Sequence, residues 1–89
     1  MTQETEQVAA ELRSFIKEHY KVPDSDPDFT DEVHLFDYGY IDSFGAVELT
    51  AFLEKNFDVK VSESDLIAHP LNTVSEIASF VVKRRKGEI

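Results

Sequence analysis

Apolar residues recur along the chain at the 3.6-residue period of an amphipathic helix in four places. From about Gln3 to Tyr20 they fall at Val8, Leu12, Phe15 and Ile16, and His19 extends the same face. Thr2 can cap this helix, and Glu4 and Glu6 suit the positive end of its dipole. A second pattern runs from Ser43 to Asn56. With about 100° per residue, Leu49, Phe52, Leu53 and Phe57 gather on one side with Gly45 and Ala46, wide enough for a core face. Phe44, Val47 and Ala51 fall on the opposite side, flanked by Glu48 and Glu54. That second stripe is either covered by another helix or a docking surface for a basic partner with an apolar rim, and the pattern weighs the two evenly.

A short third helix is predicted over Glu63–Ala68, with Ser62 as cap, Asp65 in the first turn and Pro70 limiting its length. The fourth begins at Thr73. Thr73-Val74-Ser75-Glu76 has capping-box spacing, and Val74, Ile77, Ala78 and Val81 form its inward stripe. Residues 21–42 hold Pro23, Pro27, Gly39 and several aspartates, which read as a long loop with turns. Loops of that length in small domains are often functional. Phe29, Leu35, Phe36 and Ile41 are expected to pin it to the core. Asp58-Val59-Lys60-Val61 alternates like a strand but is short and has no obvious mate. The expected fold is all-α: a four-helix bundle of three longer helices and one short one, with a long loop between the first and second. Residues 1–89 are expected to form a single domain.

Composition narrows the function classes. Hydrophobic residues make up 42% of the chain, enough for a small core and too many for a disordered tail. Without cysteine there is no disulfide and no thiolate zinc site. No apolar run is long enough to span a membrane, and no basic-then-apolar start marks a secretion signal, so cytoplasmic residence is the default expectation. The formal net charge of -9 argues against nucleic acid as the main partner. The charge is uneven: residues 1–82 carry -12 and residues 83–89 carry +3. From Val22 to Glu54 nine acids occur without one lysine or arginine, which favours a surface for basic partners over a merely solvated loop. Lys83, Arg84, Arg85 and Lys86 fall at a helix C-terminus, where the dipole favours cations; that reading wins over a nucleic-acid patch.

Candidate chemistry is sparse. Asp24-Ser25-Asp26-Pro27-Asp28 hints at a calcium loop, but the required glycine and bidentate acid positions hold Phe29 and Leu35. His19, His34 and His69 lack metal-ligand spacing and read as surface or partly packed residues. Ser43 lies where a turn delivers the chain into the second helix, in Gly39-Tyr40-Ile41-Asp42-Ser43-Phe44-Gly45. A hydrolase nucleophile would need Gly-x-Ser-x-Gly, and position 41 is isoleucine. By spacing alone, Asp42 and Ser43 are both good helix caps. The functional reading is a modification site, because a helix N-terminus favours a phosphate attached there.

Asp42-Ser43-Phe44, followed by Val47-Glu48-Leu49 and Leu53-Glu54-Lys55-Asn56-Phe57, resembles the acyl and peptidyl carrier proteins. Their signature is Asp-Ser-Leu opening the second helix of a four-helix bundle. The resemblance implies that Ser43 carries 4'-phosphopantetheine, transferred from coenzyme A by a phosphopantetheinyl transferase, with Asp42 beside it. It implies that Phe44, Val47, Glu48, Ala51 and Glu54 meet that transferase, a loading ligase and acyl-processing enzymes. It also implies a non-catalytic, monomeric carrier of thioester-bound acyl intermediates for lipid or polyketide-type biosynthesis. The arm's thiol would explain thiol chemistry in a chain without cysteine. Phe44 in place of leucine, Gly45 at a position often acidic, and Lys55 in place of an acid depart from fatty-acid carriers. The Gly-x-Ile-Asp-Ser lead-in is similar to stand-alone carriers, including D-alanyl carriers, so an aminoacyl carrier loaded by an adenylating ligase is the alternative. A reading from another class is an acidic helical interaction module without cofactor.

Overall fold

The computed structural model describes residues 3–89, so the cap expected at Thr2 lies outside the described residues. Among the described residues four α-helices occur, in the expected order: α1 (Gln3–His19), α2 (Ser43–Phe57), α3 (Glu63–Ala68) and α4 (Val74–Arg85). No strand forms among the described residues, and 58–62 are irregular chain.

Caps set the boundaries. Asp42 caps α2 by accepting from the Gly45 backbone N–H at 2.8 Å. Ser62 and Asp65 build a reciprocal capping box on α3, and Thr73 and Glu76 build one on α4. Each box satisfies backbone donors that the helix itself leaves orphaned. Asp58, at φ 55° and ψ 45°, ends α2 in the left-handed region.

α1 packs along α4. Val8, Leu12 and Ile16 from α1 meet Val74, Ile77, Ala78 and Val81 from α4 in one buried cluster, joined by Leu49, Leu53 and Phe57 of α2. Phe52 sits at the cluster's edge, its ring stacked on Phe15 at 4.1 Å between centroids. The long loop is pinned as expected by Phe29, Leu35 and Ile41, with Phe36 half-buried; Val22 and Val33 are buried as well. Its backbone is stitched to the start of α4: Leu35 N–H donates to Asn72 at 2.8 Å and Ser75 N–H to Asp31 at 3.0 Å. These bonds fix the loop's exit, and therefore where α2 begins. α3 buries no residue of its own. It is tied to α4 by Arg84, whose Nη2 donates to the Asp65 Oδ1 at 2.6 Å.

The base-free stretch is not free of cations in space. Arg13 of α1 donates from one Nη to both carboxylate oxygens of Asp31, at 2.8 and 2.7 Å, and Lys17 approaches Asp24 at 3.6 Å. Hydrogen bonds to Glu6 and Asp31 push the Arg13 guanidinium above its ordinary value. Several loop acids thus serve to fasten the loop, which narrows the expected partner surface to the neighbourhood of α2.

Candidate functional site: the start of helix α2

The loop ends in a tight corner. Tyr40 and Ile41 N–H groups both donate to the Leu35 carbonyl, at 2.9 and 3.1 Å, and Gly39 supplies the positive φ of 78° that the turn requires. Ile41 is buried and acts as the pivot; Asp42, Ser43 and Phe44, directly after it, are exposed. The sequence left two residues eligible as the α2 cap. The structure assigns the cap to Asp42, which leaves the Ser43 hydroxyl without a hydrogen-bond partner among the described residues. Ser43 is therefore the first helical residue, exposed, at the positive end of a 15-residue helix.

The α1 end of α2 is gripped by aromatic and polar groups. The Tyr20 hydroxyl donates to the Gly45 carbonyl at 3.0 Å. Burial, then the charges of Glu48 and Asp42, raise the Tyr20 phenol above its ordinary value. Gly45 is required by this close approach. A Cβ there would stand 2.8 Å from both the Tyr20 hydroxyl and the Ile41 Cγ2, closer than side chains tolerate. So the glycine that departs from the acidic residue of fatty-acid carriers has a packing cause in this chain. His19 Nε2 lies 2.8 Å from Glu48 Oε2, with its ring stacked on Phe15. The sequence placed His19 on the apolar face of α1 as a surface or partly packed residue, which agrees with its half-exposed ring stacked on Phe15, but it paired neither His19 with Glu48 nor Tyr20 with Gly45. The signal for both was their position at the end of the α1 stripe, where a helix-end aromatic must pack against something.

The outer face of α2 divides. Phe44, Val47 and Ala51 are exposed and uncovered by any other helix, so of the two readings of the second stripe the covered one is excluded. Glu48 and Glu54 border it as expected, but both are engaged internally: Glu48 with His19, and Glu54 by accepting from the Val61 N–H at 3.0 Å. The loop aspartates have structural duties too. Asp26 accepts from the Asp28 N–H and from the Tyr40 hydroxyl, both at 2.9 Å. His34 accepts from the Asp37 N–H, and His69 leans on the Phe80 ring. No helix of the described residues is long and apolar enough to cross a membrane.

An exposed, unbonded hydroxyl over helical N–H groups fits a phosphate ester. The phosphate's charge would face the positive helix end. The carboxylate adjacent in sequence, Asp42, holds the Gly45 N–H through its Oδ1.

Comparison with known proteins agrees with this geometry. The phosphopantetheine attachment site family matches residues 10–81. The chain is 37% identical over 80 residues to a D-alanyl carrier protein of Streptococcus sanguinis (strain SK36), covering 90% of this chain and 98% of that one. It is 38% identical, with the same coverage, to the D-alanyl carrier protein of Streptococcus gordonii (strain Challis). It is 33% identical over 79 residues to an acyl carrier protein of Thermotoga maritima, covering 89% of this chain and 93% of that one. A helical bundle with a free serine at its second helix, matched to these relatives over most of its length, belongs to the phosphopantetheine carrier protein family, whose prosthetic group is 4'-phosphopantetheine.

Proposed function

We propose that this chain is a discrete, single-domain, non-catalytic carrier that bears its arm on Ser43 and transports D-alanyl or a related aminoacyl group. The observation that carries the attachment point is the free Ser43 hydroxyl beside a cap made by Asp42. In attachment, Ser43 Oγ displaces adenosine 3',5'-bisphosphate from the pyrophosphate of coenzyme A, gives up its proton and becomes a phosphodiester. The base that takes this proton belongs to the transferase. The arm supplies a thiol that holds cargo as a thioester. The chain's own residues present it: Tyr20 and the loop bonds hold the start of α2, and the exposed corner leaves the arm room to reach other enzymes.

The aminoacyl cargo is supported by the relatives named as D-alanyl carriers. The second reading, an acyl carrier for lipid or polyketide-type synthesis, is favoured by the Thermotoga maritima relative. The partners are a phosphopantetheinyl transferase and an adenylating ligase acting in the cytoplasm on a monomer. Incubation with coenzyme A and a broad-specificity transferase should add one arm, read by intact mass. A gain that persists in Ser43→Ala refutes the attachment point. Loading of the modified protein by adenylating ligases supplied with D-alanine, other amino acids or fatty acids then separates the cargoes; a fatty-acid product alone refutes the aminoacyl reading.

A further inference from the structure

We propose that His19 sets the charge that Glu48 shows to the enzyme acting at Ser43, so that protonation of the imidazole slows delivery of the arm. The inference rests on Ser43 as the attachment point and adds to it a pH-sensitive residue from α1, outside the helix that bears the serine.

His19 closes α1, and its Nε2 lies 2.8 Å from Glu48 Oε2 on α2, across 29 residues of sequence. The ring is held from two further sides. Phe15 stacks on it at 5.0 Å between centroids, and Tyr20 meets it edge-on at 4.9 Å. Both members of the pair keep part of their side chain in solvent, 42% for His19 and 35% for Glu48, so the pair exchanges protons with water. Glu48 is the charged group that α2 turns towards the imidazole. The Tyr20 phenol faces the same carboxylate, with Asp42 beyond it; it is raised above its ordinary value and so keeps its proton near neutrality. Lys17, Glu18 and Lys21 flank His19 in the chain. Lys17 turns to Asp24, and Arg13 serves Asp31. Among the ion pairs of the described residues, His19 is thus the basic group that α1 sets against α2.

A ring N–H at Nε2 donates to Glu48 whether the imidazole is neutral or protonated. The contact therefore survives the change, and only its charge moves, from one negative charge on the pair to none. Imidazole ordinarily gains its proton between about pH 8 and 5, where carboxylates stay ionised. Glu48 stands about 7.5 Å beyond Ser43 along the helix axis, at about 1.5 Å per residue. That is within the roughly 10 Å over which charges act through about 0.1 M salt. The stretch from Val22 to Glu54, without a lysine or arginine, surrounds Ser43 and favours a basic enzyme. Cancelling one negative charge at this distance weakens that attraction by about two- to threefold in water.

The test is competition between the unaltered chain and each of two His19 variants for a limiting broad-specificity phosphopantetheinyl transferase with coenzyme A, read by intact mass at low salt. The product ratio reports relative kcat/KM. The enzyme's own pH dependence cancels in that ratio, as do the titrations of His34 and His69. His19→Gln carries no charge at any pH and should gain about two- to threefold on the unaltered chain between about pH 8 and 5.5. His19→Lys, a permanent cation, should lag by about the same factor at the upper pH and draw level at the lower one. Both differences should shrink in about 0.5 M salt. Glutamine and lysine are good helix formers, and the site is a partly exposed helix end, so both variants should fold, as circular dichroism at each pH would verify. A role confined to packing would shift each variant equally at both pH values. Such flat ratios, with arm transfer intact, overturn the proposal alone, as does a lysine variant level with the unaltered chain at the upper pH. Absence of any mass gain on the unaltered chain overturns the attachment point and the proposal together.

Discussion

Replacing Gly45 by alanine isolates the contact that fixes the start of α2. The new methyl would lie 2.8 Å from Ile41 Cγ2 and 2.8 Å from the Tyr20 hydroxyl, where about 3.5–4.0 Å is comfortable for carbon. Ile41 is buried and cannot retreat. Tyr20 can, but only by lengthening its 3.0 Å hydrogen bond to the Gly45 carbonyl. Overpacking of this kind costs about 1–3 kcal/mol. Alanine returns up to about 1 kcal/mol of helix propensity. The expected net loss is about 1–2 kcal/mol, or a fall in Tm of about 4–16 °C for a domain of this size. Tyr20→Phe alone should cost about 1 kcal/mol for the lost hydrogen bond. In the alanine background it should cost less, because it also removes one of the two obstructing atoms. Urea unfolding followed by circular dichroism of the four variants gives the coupling. Independent sites add within about 0.3–0.5 kcal/mol. Additivity at that level, or an alanine variant as stable as the parent, refutes the packing account of Gly45.

Three further outcomes are expected. The Asp65 carboxyl is held below its ordinary value of 3.8, first by the Ser62 backbone N–H and then by Arg84; its stabilising contribution is therefore present above 3.8 and lost as pH falls through the lower folded value, so the gap in urea midpoint between the parent and Asp65→Asn should close on acidification. Partial burial and the Asp26 hydrogen bond push the Tyr40 phenol up to about 12, so stability should fall as pH rises between about 10 and 12, less so in Tyr40→Phe, and the absorbance titration should contain a component near 12 that this variant lacks. Thr73→Ala removes the side-chain half of the α4 capping box and should cost about 0.5–2 kcal/mol by thermal melting; no change would mean that the box is idle.

The helices were legible in the sequence because their signals are local. Ser62-x-x-Asp65 and Thr73-x-x-Glu76 announce their boxes within four residues, and α3 and α4 begin where those caps predict. The core stripes of α1, α2 and α4 were equally readable from their period. Contacts across distance were not. His19 meets Glu48 and Tyr20 meets Gly45 over separations of 29 and 25 residues, and no local pattern pairs them. The basic run read as cations at the end of α4, where Lys83, Arg84 and Arg85 do stand, but nothing local told that Arg84 also holds α3 through Asp65. Whether the second stripe of α2 was covered could not be read either, since a helical wheel gives faces but not neighbours.

The proposed attachment point came from the family resemblance, since spacing alone left Asp42 and Ser43 as two candidate caps, and the structure adds how the two residues divide that work. Two adjacent cap-forming residues at one helix start are redundant for folding, since a single side chain satisfies the exposed N–H. Had Ser43 made that bond, its hydroxyl would face into the first turn and the helix would start a residue later. Aspartate is the stronger claimant here because an ionised carboxylate accepts a backbone N–H more strongly than a neutral hydroxyl does and also complements the helix dipole. With Asp42 holding the Gly45 N–H, Ser43 keeps helical backbone geometry beneath an unengaged oxygen. The same division of labour runs through the surrounding structure. Tyr20, His19 and Ile41 fasten the α1 side of α2, while Phe44 and Val47 stay bare on the other. A carrier needs both, because an arm is handed reproducibly from enzyme to enzyme only if its anchor is rigid on one side and unobstructed on the other.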